Sequence, residues 1–367
     1  MRSGQPDPEP LERALAVPRR WLADGLTPGV AVVVAREGRV VGELYAGSAN
    51  SERPVEVGTL FCLASITKLM TACAALTLVE DGLLALDEPL ERWLPELADE
   101  QRAHLTFHRL LTHASGLPFD LGPEEAERLG PTPSLTEIYA QYPRLTLAFP
   151  PGSQVRYSNV NFGLLAQVVE RVSGSPFFEL LDRRVLRPLH VEHTYLPVPD
   201  DVFDQIAQVA GTPEPGADNE SFNSAWWRGL GLPWGGAVGS ARDVARFMTA
   251  FLSESPLPGF LSPVTLEAMT RVQSGDLAGG VPGSATWPRA EWGLGFEVRG
   301  DKRPHPFGEL TSPETFGHTG ISGTMAWADP DSGLVCVVLC NRLVTSDPER
   351  RFLISFCRLS NAVACLV

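Results

Sequence analysis

Two short, almost unbroken apolar runs, Gly29–Ala35 and Leu334–Cys340, stand at opposite ends of a 367-residue chain. Each is rich in valine and far shorter than the roughly 20 residues a membrane helix needs, so each reads as a buried strand. Each also belongs to a hairpin signal. Val30–Ala35 and Val40–Leu44 flank Arg36-Glu37-Gly38-Arg39, and Thr324–Ala328 and Leu334–Val338 flank Asp329-Pro330-Asp331-Ser332-Gly333. A single antiparallel sheet assembled from both chain ends satisfies all four pieces. Helices from the terminal segments are expected to cover it.

The first terminal helix is expected over Leu11–Ala23, with Pro18 as a kink or boundary and Asp24-Gly25 as its end; the last is expected over Pro348–Ala364. The middle of the chain, from about Leu69 to Ser284, reads as helix and loop. The expected fold class is therefore α+β: residues 1–367 form one domain of two lobes, an α/β lobe from 11–68 and 285–367, and a mainly helical lobe from 69–284. Gly122–Pro133 and Gly211–Asn219, rich in Pro, Gly and acid, read as surface loops rather than domain borders. Two inner helices stand out. Ser65–Asp81 is apolar nearly all round and ends at Gly82, and Phe162–Val172 follows the loop Pro150-Pro151-Gly152.

The formal net charge of −14 argues against nucleic acid and anionic membrane as partners, since neither tolerates so acidic a surface. The polar, proline-bearing Met1–Pro10 lacks the apolar stretch of a secretory signal, so the expected address is cytoplasmic. Six cysteines lie in apolar surroundings without C-x-x-C spacing, the pattern of buried free thiols.

Only two of the thirty basic residues are lysine, Lys68 and Lys302. Ser65-Ile66-Thr67-Lys68 places a hydroxyl and an amine three residues apart, on one face of a helix's first turn. The positive end of the helix favours an alkoxide on Ser65, and a desolvated Lys68 can take its proton. Tyr157-Ser158-Asn159, in a loop before a helix, aims a phenol and an amide at one pocket as proton carrier and substrate ligand. His318-Thr319-Gly320 forms a glycine-flanked strand that a ligand can approach closely, with His318 and Ile321 expected on opposite faces.

In this order and at these distances, S-x-x-K, Y-x-N and H-T-G resemble the serine β-lactamase and penicillin-binding-protein superfamily, in its class C-like branch with family VIII esterases and D-amino-acid peptidases. The resemblance extends over about Leu26–Val363 and takes in Leu110–Leu117, Pro151-Gly152-Ser153, Gly235-Gly236, Ala241-Arg242-Asp243 and Trp292-Gly293-Leu294-Gly295. It implies that Ser65 is acylated, that Lys68 and Tyr157 share the proton work, that Asn159 contacts substrate, and that His318, Thr319 and Gly320 line it. It also implies an oxyanion hole from the backbone N–H groups of Ser65 and Ile321. The implied substrate is a small ester, amide or D-peptide, handled without cofactor or metal.

Lysine is common at the position of His318 in β-lactamases, and H-T-G is associated more with esterases and peptidases; an arginine such as Arg299 or Arg342 could restore the missing cation. A β-lactamase-like carboxylesterase is the expected function, beside a D-amino-acid peptidase or DD-carboxypeptidase, a weak β-lactamase, and an acylable sensor that never turns over. A zinc site from His104, His108 and His113, or from His190 and His193, lacks an H-E-x-x-H, and the chain has no G-x-S-x-G of an α/β-hydrolase. Trp226, Trp227, Trp234 and Trp287 are candidates for lining an acyl pocket or for packing loops.

Overall fold

In the computed structural model, residues 8–212, 222–252, 255, 257, 259–283, 285–346 and 351–367 are described. Helix α1 (Pro8–Ala23) leads into β1 (Gly29–Arg36) and β2 (Arg39–Gly47); α2 (Thr67–Glu80), α3 (Val160–Ser173) and α4 (Ala241–Thr249) belong to the middle of the chain. The return leg is β3 (Glu297–Val298), β4 (Phe316–Gly320), β5 (Thr324–Asp329) and β6 (Leu334–Cys340), closed by α5 (Arg351–Ala364).

These strands form one antiparallel six-stranded sheet in the order β2-β1-β6-β5-β4-β3. The two apolar runs pair directly, Val30 with Cys340 through Arg36 with Leu334, so the chain ends meet at the centre of the sheet. Strand alternation then divides their side chains. Val30, Val32, Val34, Met325, Trp327, Cys336 and Val338 pack against Ala14, Trp21, Phe356 and Val363 of the terminal helices. Ala31, Val33, Ala326, Val335 and Val337 face the larger core around α2, α3 and α4. Burial on both faces explains why these runs lack polar alternation, and each buried Val contributes about 1.5 kcal/mol or more. No helix of the described residues is long and apolar enough to cross a membrane.

Several expectations are corrected. Pro18 does not bound α1, which runs through it to Ala23. Its lost backbone hydrogen bond is outweighed by an apolar face pinned to the sheet through Ala14, Leu15 and Trp21. The end at Asp24-Gly25 is as expected: Gly25 takes a φ of +65°, and Leu26 N–H closes the turn on the Trp21 carbonyl. Gly122–Pro133 is not all loop. It holds a helix, Pro123–Leu129, with proline in its first turn and Glu125 accepting from Gly122 N–H. Of Gly211–Asn219, residues 213–219 lie outside the described residues, as do 347–350 ahead of α5.

The middle is also not purely helix and loop. Phe61–Cys62, Val238–Gly239 and Thr194–Tyr195 form one small sheet, and Val155–Arg156, Gly279–Val281 and Ala285–Trp287 another. The first braces the backbone just before Ser65, and the second the backbone just before Tyr157.

Candidate active site

Ser65 does not sit in the α-helix itself. It occupies a single 3-10 turn, Ala64–Ile66, that feeds into α2 at Thr67. Ala64, the residue before it, is held at a φ of +47°, a left-handed conformation that costs a non-glycine residue about 1–2 kcal/mol. The surroundings over-determine this strained turn. Thr67 Oγ1 donates to the Ala64 carbonyl at 2.6 Å and accepts from Ala237 N–H at 3.1 Å, while Leu63 N–H donates to the Ala237 carbonyl.

The H-T-G strand reaches this turn because of Gly320. A Cβ there would lie 2.6 Å from the Leu63 carbonyl oxygen and 3.2 Å from Ala64 Cβ, so only glycine lets β4 lie so close. Thr324 Oγ1 and Ser322 Oγ lock the approach by donating to the carbonyls of Leu63 and Cys62. Ile321 is not on the strand opposite His318, as alternation implied: β4 ends at Gly320 and Ile321 opens the following turn, exposed to solvent.

Lys68 is fully buried in the first turn of α2. Its Nζ lies 3.2 Å from Ser65 Oγ, 2.8 Å from Asn159 Oδ1 and 2.7 Å from the Trp234 carbonyl oxygen. Burial pulls its pKa well below the usual lysine value, and the nearby Asp120 carboxylate offsets only part of that. A neutral amine has two N–H groups and one lone pair. With Asn159 and Trp234 taking the N–H groups, the lone pair is left for the Ser65 hydroxyl.

Tyr157 stacks beside Lys68, whose Nζ is 4.8 Å from the ring centroid. Burial raises its pKa far above the ordinary phenol value, and the Ser65 hydroxyl, short of a well-formed hydrogen bond, eases this only partly. Tyr157 therefore rests as the phenol. Its ring also meets those of His113, Trp292 and His318 at 4.5, 5.8 and 5.6 Å between centroids.

His318 is buried, with Nδ1 2.6 Å from the Thr319 carbonyl oxygen. That contact requires the proton on Nδ1, so Nε2, which has no partner among the described residues, is an acceptor. Burial, reinforced by repulsion from Lys68, brings its pKa down to about 4. Its titration is thus displaced well to the acid side of an ordinary imidazole's, which lies near pH 6.5. Thr319 is half-buried at the same strand end. Arg299 does not replace the missing cation: its guanidinium is spent on the carbonyls of Gly308, Gly300 and Glu309.

Four contributors take places that the sequence reading did not give them. His113, buried at a φ of +57°, accepts Ser158 N–H at Nδ1 and Arg156 N–H at its carbonyl, clamping the tyrosine loop from both sides. Trp292 wedges between His113 and His318. The Trp234 carbonyl and the Asp120 carboxylate complete the surroundings of Lys68 and Asn159. Of the other tryptophans, Trp226 donates to the Pro133 carbonyl, Trp227 packs on Phe222, and Trp287 lies against Lys302. His108 is on the short helix Phe107–Leu111 and His104 in the turn before it, whereas His113 turns inward to the tyrosine loop.

The family model described as "Beta-lactamase" matches residues 18–355, a span that holds every residue just described. The chain belongs to the β-lactamase family. Among members of that family, "Esterase EstB" of Burkholderia gladioli is 32% identical over 85% of this chain and 86% of its own length. A β-lactamase of Pseudomonas fluorescens is 28% identical over 86% and 88% of the two chains. In fold, a penicillin-binding-protein homologue from Caulobacter crescentus superposes with a TM-score of 0.79 at 24% identity, covering 100% of this chain and 99% of that one. Like other β-lactamase-family enzymes, this one is a serine hydrolase that works through an acyl-enzyme.

Proposed function

We propose that this enzyme is a carboxylesterase-like serine hydrolase in which Ser65 is the nucleophile, Lys68 its base in acylation, and Tyr157 the proton carrier to the leaving group. The observation that carries this reading is the placement of Lys68 Nζ, fully buried and shared among Ser65 Oγ, Asn159 Oδ1 and the Trp234 carbonyl. Ser65 Oγ attacks the substrate carbonyl as its proton passes to Lys68. The resulting oxyanion is held by the backbone N–H groups of Ser65 and Ile321, a pairing supported by the close approach of β4 to the Leu63–Ala64 backbone. Tyr157, kept as a phenol, protonates the departing alkoxide and is recharged by Lys68. In deacylation the same pair draws a proton from water.

The site would lie where the sheet lobe, residues 11–68 and 285–367, meets the helical lobe, residues 69–284. Asn159 contacts the acyl portion of the substrate, and His318, Thr319, Gly320 and Ile321 line its other side. Substrate choice follows from His318. A neutral imidazole that presents a lone pair repels a carboxylate and accepts from an N–H or O–H group, so the favoured substrates are uncharged esters or amides. The resemblance to "Esterase EstB" supports the same choice. Kinetics on short and medium p-nitrophenyl esters, nitrocefin and D-Ala-D-Ala peptides test it. A neutral ester is expected to have the highest kcat/KM, and equal or better turnover of nitrocefin or the D-peptide overturns the esterase reading.

A further inference from the structure

Asp120 has no role in the chemistry above, yet its segment is docked on the tyrosine loop by three hydrogen bonds. Ser158 Oγ donates to the Pro118 carbonyl at 2.6 Å, Asn159 N–H to the Phe119 carbonyl at 2.7 Å, and Asn159 Nδ2 to Asp120 Oδ2 at 2.8 Å. The second carboxylate oxygen, Oδ1, accepts Leu121 N–H at 2.9 Å, which fixes the group's orientation. A side-chain amide has one donor end and one acceptor end, and a carboxylate can only accept. Asp120 therefore decides which way Asn159 faces: Nδ2 toward the carboxylate, Oδ1 toward Lys68 Nζ at 2.8 Å.

We propose that Asp120 is a positioning residue for the activation of Ser65, acting through the Asn159 amide to orient Lys68 and through its negative charge to set how readily Lys68 gives up a proton. It deepens the reading of Ser65 as nucleophile and Lys68 as base, and rests on it.

The other groups around Lys68 leave this task to Asp120. Tyr157, from the loop before α3, is held as a phenol by burial. His113, from the turn after the short helix Phe107–Leu111, and His318, from β4, are both held neutral by burial. Glu297 of β3 acts on Tyr157, His113 and His318 but is itself paired with Lys302. Asp120 is the charge that opposes the effect of burial on Lys68. Too little opposition leaves a weak base, and too much leaves an ammonium ion with no lone pair for Ser65.

The test is the second-order rate at which a fluorophosphonate labels Ser65, measured against pH in the wild type and in Asp120→Asn, Asp120→Ala and Asp120→Glu. Labelling reports nucleophile activation and does not depend on which ester the enzyme prefers. The wild-type rate is expected to rise with pH as Lys68 becomes neutral. Asp120→Asn keeps an acceptor for Asn159 but loses the charge, so the rise is expected to move to lower pH by about one unit. Asp120→Ala, which loses both, should show the same displacement with a lower plateau, and serves if the Asn variant fails to fold. Asp120→Glu keeps the charge on a longer arm, so its rise should stay near the wild-type pH while the plateau falls. A merely structural role would lower plateaus without moving the rise. An unmoved rise in the neutral variants, or one moved to higher pH, overturns the proposal; absence of wild-type labelling overturns the nucleophile assignment as well.

Discussion

Gly320 and Leu63 are in contact across the gap between strand β4 and the Ser65 turn, and a Cβ on the glycine would stand 2.6 Å from the Leu63 carbonyl oxygen. The Thr324 hydroxyl would be nearer still, at 2.2 Å. Gly320→Ala must push the strand away from the Ser65 turn. The expected result is a kcat lower by about 100-fold, the scale of an ångström of misplacement. Overpacking should cost only about 1–3 kcal/mol of stability. Ester kinetics beside a thermal melt check this, and near-normal kcat in a folded variant counts against an oxyanion hole at this junction.

In the proposed mechanism Lys68 and Tyr157 share one proton path, so their losses should not add. Lys68→Ala and Tyr157→Phe are each expected to lower kcat by at least about 100-fold. The double variant should be little worse than the poorer single one. Single-turnover kinetics on one p-nitrophenyl ester give all three numbers. Multiplicative losses would mean that the two residues act independently.

If His318 lines the substrate as proposed, substrate preference should depend on pH in a defined direction. Above its pKa of about 4 the ring is neutral and presents a lone pair. As pH falls toward that value, Nε2 gains a proton, becomes a charged donor, and can receive a carboxylate. The ratio of kcat/KM for nitrocefin to that for a neutral ester should therefore stay low and flat from about pH 8 to about pH 6, then climb in more acid solution. Protonation of Lys68 slows both substrates and cancels in the ratio. His318→Lys should raise the ratio at neutral pH, and a wild-type ratio that does not change toward acid contradicts the assignment.

Lys302, the second lysine of the chain, forms a buried ion pair with Glu297 at 2.8 Å, and His305 Nε2 lies 3.1 Å from the same carboxylate oxygen. Burial by itself would raise the Glu297 pKa, but Lys302 and His305 outweigh it and hold the carboxyl well below the usual range. A depressed carboxyl stabilises the fold above its unfolded pKa, about 4.3, and loses that contribution as pH falls through its folded value. Lys302→Met strands a buried charge and is expected to cost about 3–5 kcal/mol at neutral pH. Glu297→Gln/Lys302→Met should recover most of it. Urea titrations at neutral and acid pH measure both, and a silent Lys302→Met would rule out a stabilising pair.

The sheet was legible because its strands carry their own signal: valine runs buried on both faces, each beside a turn sequence, with partners fixed by which ends can meet. Phe61–Cys62 and Val155–Arg156 were not. Two-residue strands have no periodicity and exist only because Val238–Gly239 and Gly279–Val281 arrive from far along the chain. Pro18 misled because packing against the sheet, which the local sequence does not show, overrode a sound local rule. At the site, Ser65, Lys68 and Tyr157 were legible as chemical groups at telling separations. Asp120 and Trp292 act through space on residues dozens of positions away, and the Trp234 carbonyl belongs to a backbone that carries no side-chain signature. The protonation of His318 was likewise out of reach, since it depends on burial and on a contact with the Thr319 carbonyl.

Ser65, activated by Lys68, is proposed to carry the acyl group. Intact-mass and peptide mass spectrometry of the fluorophosphonate-treated enzyme tests it most directly. One adduct is expected, on the peptide that contains Ser65, with labelling and ester turnover both abolished in Ser65→Ala. An adduct on another serine, or ester turnover that survives Ser65→Ala, would contradict it.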